Sequence, residues 1–475
     1  MKLANIVTCS LATVLVYANT ELTRAAKSPE PVADARVPLA AKVATYKGWK
    51  SVALTNGLIE LQVVPDIGGR VMQFQLGPKE FFWVNPQLAG KPSPPGGLAP
   101  DGGWLNYGGD KLWPAPQGWD NDQQWPGPPD AVLDGSPYTC DMDPAGPSIR
   151  LTSGDDPRSG IRFSRVIRLF PASTRVAIAA TMTNIDTKPR RWGIWAHTQL
   201  DGAQRDGARH NALLTAWCPL NPRSRFPQGY QVIFGAPDNP TFQPDRERGL
   251  MRVQYQYRVG KIGLDCRAGW VATVDGASGA VFVQQFRFEQ TKEYPDGSSV
   301  EFWTNGIGKI HAYNKDIELK ADPAENPYVF ESELLSPFAQ LRPGASYRWY
   351  YDWYATQIGG NFPIVYCTPA GVVAEPLVAK VAPQRVSLRG RFGVFMPGKV
   401  RAALYDAGQG RLQVVDVAAE VTPLKPVVVD TTVEAPQNLD HVVLELIDCQ
   451  GRLQGHLARA AVPIVEGWLA PPTKK

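Results

Sequence analysis

Histidine is rare in this chain, five in 475 residues, and one of them lies among tryptophans in RRWGIWAHTQLDG, residues 190–202. His197 is the first candidate for moving protons, because imidazole is the side chain that titrates near neutral pH. A second stretch, FESELLSP, holds Glu331 and Glu333 two residues apart, and strand alternation puts both carboxyls on one face. A histidine and a carboxylate suffice for acid–base catalysis and imply neither metal nor cofactor. Two more stretches carry groups suited to binding. In TNGLIELQVVPDIGGRVMQF, Gly68-Gly69 permits close backbone approach and Arg70 opens a strand. In NYGGDKLWPAPQGW, Asp110, Lys111, Trp113 and Gln117 stand together, followed by Trp119, and Trp195 flanks the histidine.

Each group also has a plainer role. His197 would then be a satisfied core histidine, Arg70 half of an ion pair, and Asp110 with Lys111 a loop-stabilising pair. The glutamates would be solvated on an outward face. Position decides between the two sets, so the elements that carry these residues come next.

A chain of 475 residues exceeds one ordinary core, and two domains are expected. Forty-four Gly and 43 Pro, spread without repetition, indicate many turns between short strands. The net charge of +4 has no basic block, which argues against a nucleic-acid partner. MKLANIVTCSLATVLVYANT has a basic start, a short apolar run and a small-residue site at Val16-Tyr17-Ala18. Residues 1–18 are therefore expected to be a signal peptide, with export to the periplasm or beyond and no membrane insertion after cleavage. Five cysteines would remain, in no zinc-like spacing, either as buried thiols or partly as disulfides.

Residues 19–43 read as a flexible lead-in. From there strand signals dominate. SVALTNGLIELQVVP turns at Asn56-Gly57, and IRFSRVIRLF, TRVAIAATMTN, AVFVQQFRF, SVEFWTN, YVFESELL and SYRWYYDWYAT follow. Helical period is absent, so residues 44–360 are expected to form one large β-sandwich. The proline- and tryptophan-rich stretch 83–138 reads as an ordered loop system over one face, since disordered segments are poor in aromatics. A linker is expected over 361–375. RVSLRGRFGVF, KVRAALYD, RLQVVDVAAEV and HVVLELIDCQGRLQGH then suggest a smaller immunoglobulin-like sandwich over 376–475.

Taken in order, LTNGLIELQVVPDIGGRVMQF, FFWVNP, GGDKLWPAPQ, TNIDTKPRRWGIWAHTQLD, EYPDG and ESELLSPFAQLRPGASYRWYYDW resemble the galactose mutarotase-like superfamily. The match, to a branch of secreted bacterial proteins without known activity, covers roughly residues 46–356. The resemblance implies an all-β fold: a mutarotase-like β-supersandwich whose concave face binds a carbohydrate, followed by the smaller sandwich. It also implies that His197, after the Thr-Asn segment at 183–184, matches the acid of aldose epimerases, and that Glu331 or Glu333 matches the base. Acid and base would then face each other across a gap that admits one sugar ring. Arg70, Asp110, Lys111 and Gln117 would bind hydroxyls, while Trp113, Trp119 and Trp195 would stack on the ring. Ala196 replaces the usual Asn beside the histidine, and the Tyr-Phe-Asn-Leu continuation is missing. Three functions fit: a mutarotase-like enzyme, a lyase or hydrolase of glycosidic bonds, and a non-catalytic carbohydrate binder. The oligomeric state is not legible.

Overall fold

Asn56 and Gly57 turn the chain where their types demand it. Trp49–Thr55 returns as Ile59–Val64 with Thr55 opposite Glu60. Gly57 takes φ +82°, and the Asn56 side-chain oxygen accepts from the backbone N–H of Leu58 and Ile59 at 3.1 Å each. In the computed structural model the described residues are 39–144 and 146–462. The expected signal peptide and residues 19–38 of the lead-in lie outside them.

Strands then add side by side into two large antiparallel sheets. The first runs Ala40–Tyr46, Trp49–Thr55, Ile59–Val64, Arg70–Leu76, Asp110–Ala115, Arg190–Asp201, Val329–Leu335, Val300–Thr304, Gly260–Leu264 and Gln231–Gly235. The second has ten strands, with Ser346–Gln357 and Val176–Asn184 near its centre. Ile161–Leu169 and Val176–Asn184 alternate buried with less buried positions, as a strand with one face on the core must. Phe74 of the first sheet packs on Phe282 and Trp353 of the second, with ring centroids 5.7 and 6.2 Å away. All-β architecture, expected from the periodicity, is what the chain adopts.

Buried polar groups also join the layers. Arg165 of the second sheet pairs with Asp110 of the first, and Thr198 donates to the same carboxylate at 2.8 Å. Gln284 bonds Thr198 and Ser332 from the facing sheet. Since each member has partners, this network fixes how the sheets face one another.

Residues 366–461 form two four-stranded sheets. One contains Tyr366–Thr368, Gly371–Ala382, Arg385–Val394 and Val427–Glu434. The other contains Arg411–Val421, Gly398–Tyr405, His441–Ile447 and Leu453–Ala461. The chain crosses between the sheets as an immunoglobulin-like sandwich does, with eight strands here. Phe392, Val400, Leu404, Val442 and Leu457 are among its core residues.

Three expectations need correction. The stretch 83–138 is not loop throughout, because Asp110–Ala115 is a strand in the middle of the first sheet. Its Asp-Lys start and Pro114 conceal it, whereas both of its faces are covered. The lead-in is strand from Ala40. The proposed linker holds Tyr366–Thr368 and the start of Gly371–Ala382, and its Ile364, Val372 and Ala374 are buried. Cys140, Cys218, Cys266, Cys367 and Cys449 are all free thiols. Among the described residues no helix is long and apolar enough to cross a membrane.

Candidate active site

Five neighbouring strands of the first sheet carry the site, in the order Asp110–Ala115, Arg190–Asp201, Val329–Leu335, Val300–Thr304 and Gly260–Leu264. Alternation along Arg190–Asp201 sends Trp195, His197 and Gln199 towards a cavity and Thr198 towards the second sheet. Pairing sets His197 between Lys111 and Glu333, with Gln199 beside Glu331. Strand residues 192–200 are all buried, so the chemistry-bearing face gives no polar alternation to read in the sequence.

The cavity measures about 640 Å³, large enough for a small organic ligand. Trp83, Trp104, Trp113, Trp119, Trp195 and Trp303 contribute to its wall. A separate two-stranded hairpin, Gly308–Ala312 with Lys315–Leu319, forms another side. Tyr313 at its turn donates to the Pro128 carbonyl at 2.9 Å and lies 4.9 Å from the Trp119 ring.

At the floor, His197 Nε2 and Glu331 Oε2 are 3.0 Å apart. Gln199 donates to Glu331 Oε1 at 2.7 Å, and Lys111 Nζ donates to Gln199 Oε1 at 2.9 Å. Burial first, then the Lys111 ammonium, hold His197 well below its ordinary pKa, so the ring is neutral at neutral pH. Its Nδ1 has no hydrogen-bond partner. Burial raises Glu331, with Lys111 and Gln199 acting against it. Lys111 itself is pushed down to about 7, by burial and then by the Arg70 guanidinium.

The two glutamates, equivalent in the sequence, now part company. Glu331 lines the cavity, while Glu333 is fully buried behind it. Glu333 Oε2 accepts from Trp195 Nε1 at 2.6 Å and lies 3.0 Å from Lys261 Nζ. The expected gap between acid and base is absent, because His197 and Glu331 are neighbours on adjacent strands and bond directly.

Trp113, Trp119, Trp195 and Gln117 reach the cavity wall, as do His197 and Glu331. Arg70, Asp110 and Lys111 do not. Asp110 points into the sandwich against Arg165 because it is one residue out of step with Lys111. Arg70, wholly buried, pairs with Asp134 at 2.7 Å and donates to the carbonyls of Ile67 and Gly108. All three are buried behind the cavity wall.

Asp134 was not singled out in the sequence, yet it organises the wall. Besides Arg70 it accepts from Trp113 Nε1 at 3.0 Å and Trp104 Nε1 at 2.7 Å. It sits in the turn Ala131–Gly135, capped by Asp130, which also accepts from Trp125 Nε1 at 2.9 Å. Two carboxylates thus anchor three indoles, which explains why the proline-rich stretch is ordered. Gln199, Lys261, Glu301 and Trp303 also went unmarked. Only Gln199 had a usable signal, two residues beyond His197 on the same face.

His197, Glu331 and Glu333 bring one ligand-type atom each within 4.8 Å of one another. Lys261, in contact with Glu333, and Lys111, whose charge lowers the His197 pKa, already supply positive charge around this trio. The donor set therefore fits a proton-transfer site better than a cation site.

The family described as Domain of unknown function (DUF4380) matches residues 50–206, roughly a third of the chain. That span includes Lys111, Trp113, Asp134, His197 and Gln199 but stops before Glu331. No curated protein matches the sequence. A TPR-domain containing protein from Parabacteroides distasonis is similar at 13% identity and TM-score 0.42, over 66% of this chain. The chain spans about half of that protein, 48% of its length. A galactose mutarotase-like protein from Lactobacillus casei is similar at 11% identity and TM-score 0.40, over 64% of this chain and 99% of the other. One from Clostridium acetobutylicum is similar at 11% identity and TM-score 0.39, over 67% and 99%.

Proposed function

We propose that the cavity binds a carbohydrate and that Glu331, held by His197, exchanges a proton with it. The observation that carries this reading is one carboxyl, raised by burial, on the floor of a cavity walled by six tryptophans. Indole faces bury the flat apolar side of a sugar ring while the ring's edge hydroxyls stay hydrogen-bonded. Asn85, Asn106, Gln117 and Asn305 supply neutral donors and acceptors around the same wall. A carboxyl raised towards neutrality can give its proton to a ligand oxygen and take one back. His197, neutral and hydrogen-bonded to Oε2, fixes the carboxyl's orientation. Lys111 and Gln199 hold the other oxygen through the chain of bonds described above.

The direct His197–Glu331 bond favours a second reading, a binder without turnover, because each group already satisfies the other. A monosaccharide and glycan binding screen followed by product analysis separates the two. Binding with turnover that Glu331→Gln abolishes supports the enzyme. Binding with unchanged products leaves the binder, and no binding overturns both. Export belongs to the same proposal, supported by the basic and apolar start MKLANIVTCSLATVLVYA. N-terminal sequencing of the mature protein checks it.

A further inference from the structure

Beside the main cavity lies a smaller chamber of about 40 Å³, which shares Gln117, Trp195, Phe234 and Lys261 with it. Glu301 forms part of its wall, and Asp296 stands at its exposed lip. Lys261 Nζ lies 2.7 Å from Glu301 Oε2 and 3.0 Å from Glu333 Oε2. Glu301 and Glu333 therefore share a single ammonium, whose field also reaches Asp296.

The compensation is incomplete. Glu301 is 2% exposed and Glu333 0%, yet Oε1 of each has no hydrogen-bond partner. A buried carboxylate oxygen without a donor is costly, and the charge is normally matched or removed. Here it is removed: burial holds Glu301 up to about 8, against the pull of Lys261 and with the push of Asp296 and Glu333. A second cation in the chamber would let Glu301 ionise and pair with it. The chamber is large enough for one small polar group, since a single water needs only about 10–15 Å³ of such space. Its aromatic wall also suits a cation, for Lys261 Nζ already lies 4.1 Å from the Trp195 ring centroid.

We propose that this chamber recognises a primary ammonium group on the ligand of the main cavity, which makes amino sugars the preferred class. The inference rests on the carbohydrate reading above. A hydroxyl at the same position would leave Glu301 protonated, and an N-acetyl group adds bulk without charge.

Isothermal titration calorimetry of the full mature chain with glucosamine, galactosamine, glucose, galactose and N-acetylglucosamine tests it. At pH 7, in two buffers of different ionisation enthalpy, the amino sugars are expected to bind about tenfold or more tightly than their parents. Their binding should also release protons, because the ammonium draws Glu301 into its ionised form. Glu301→Gln should remove both the preference and the proton release. Asp296→Asn, at an exposed position, should weaken the preference even if Glu301→Gln fails to fold. Equal affinity for amino and parent sugars overturns the ammonium subsite and leaves the carbohydrate reading standing. No binding of any of the five overturns both.

Discussion

His197 and Glu331 meet at 3.0 Å on the cavity floor, and the imidazole centroid lies 4.1 Å from that of Trp113. The histidine is 2% exposed and Glu331 8%, and both line the cavity. Glu331→Gln keeps the side chain's size and its bonding to Gln199 but cannot carry a proton. With any sugar that is turned over, it is expected to lower kcat by on the order of 10²–10⁴-fold with little change in Tm. His197→Gln should reduce the rate less, and should alter its pH profile. Full activity in Glu331→Gln would remove the proposed chemistry.

Trp113 and Trp119 both line the cavity but should respond differently to truncation. Trp113 is 2% exposed and packed against Trp104, Trp125 and Trp195. Trp113→Ala is therefore expected to cost on the order of 3–5 kcal/mol of stability, which makes it a poor probe of binding. Half-buried Trp119 touches Tyr313 and Phe234 at the rim. Trp119→Ala should weaken sugar binding several-fold with a small change in Tm. If affinity is unaltered, the rim does not contact the ligand.

Asp134 carries the buried charge of Arg70 and the N–H groups of two indoles. Asp134→Ala strands all three, and breaking such a buried pair from one side costs about 3–5 kcal/mol. Urea denaturation should show that loss, and tryptophan fluorescence should report a loosened wall. A change under about 1 kcal/mol would contradict this role.

Glu301 and Lys111 make opposite contributions to the pH dependence of stability. Folded Glu301 keeps its proton up to about 8, whereas the unfolded group loses it near 4.5. Its stabilising contribution is full below 4.5 and is lost as pH rises to about 8. Lys111 titrates near 7 when folded and 10.5 when unfolded, so its contribution grows as pH rises between those values. Urea midpoints taken from pH 5 to 8 should therefore fall less steeply in Glu301→Gln than in the parent. Parallel curves would show that Glu301 titrates normally.

The C-terminal sandwich meets the second large sheet through shared apolar residues. Tyr354 stacks on Phe395 at 4.3 Å, and Ile358, Ile364 and Val372 are buried in the same cluster. Thr174 N–H donates to the Phe395 carbonyl at 2.8 Å. A chain ending at Gln357 is expected to expose this surface, bind a hydrophobic dye and lose solubility. A soluble, dye-silent fragment would show instead that the large sandwich closes without it.

Local chemistry made much of this protein legible. Alternation and turn residues located most strands, because a half-buried strand must repeat every second residue and Asn-Gly suits a tight turn. They also put Glu331 and Glu333 on one face and picked out His197. The strand Asp110–Ala115 escaped because both its faces are covered, so no period survives in a segment that also contains Pro114. Which glutamate serves the cavity depended on strand register, a relation between residues 134 positions apart. Lys261 and Glu301 carried no local mark at all. Their significance arises only when pairing brings Gly260–Leu264 and Val300–Thr304 beside Val329–Leu335, where one ammonium has to serve two buried carboxyls. Local patterning thus marks most of the strands and the stock of reactive groups. The tertiary structure decided their partners, because burial and charge pairing depend on contacts between strands that lie far apart in the chain.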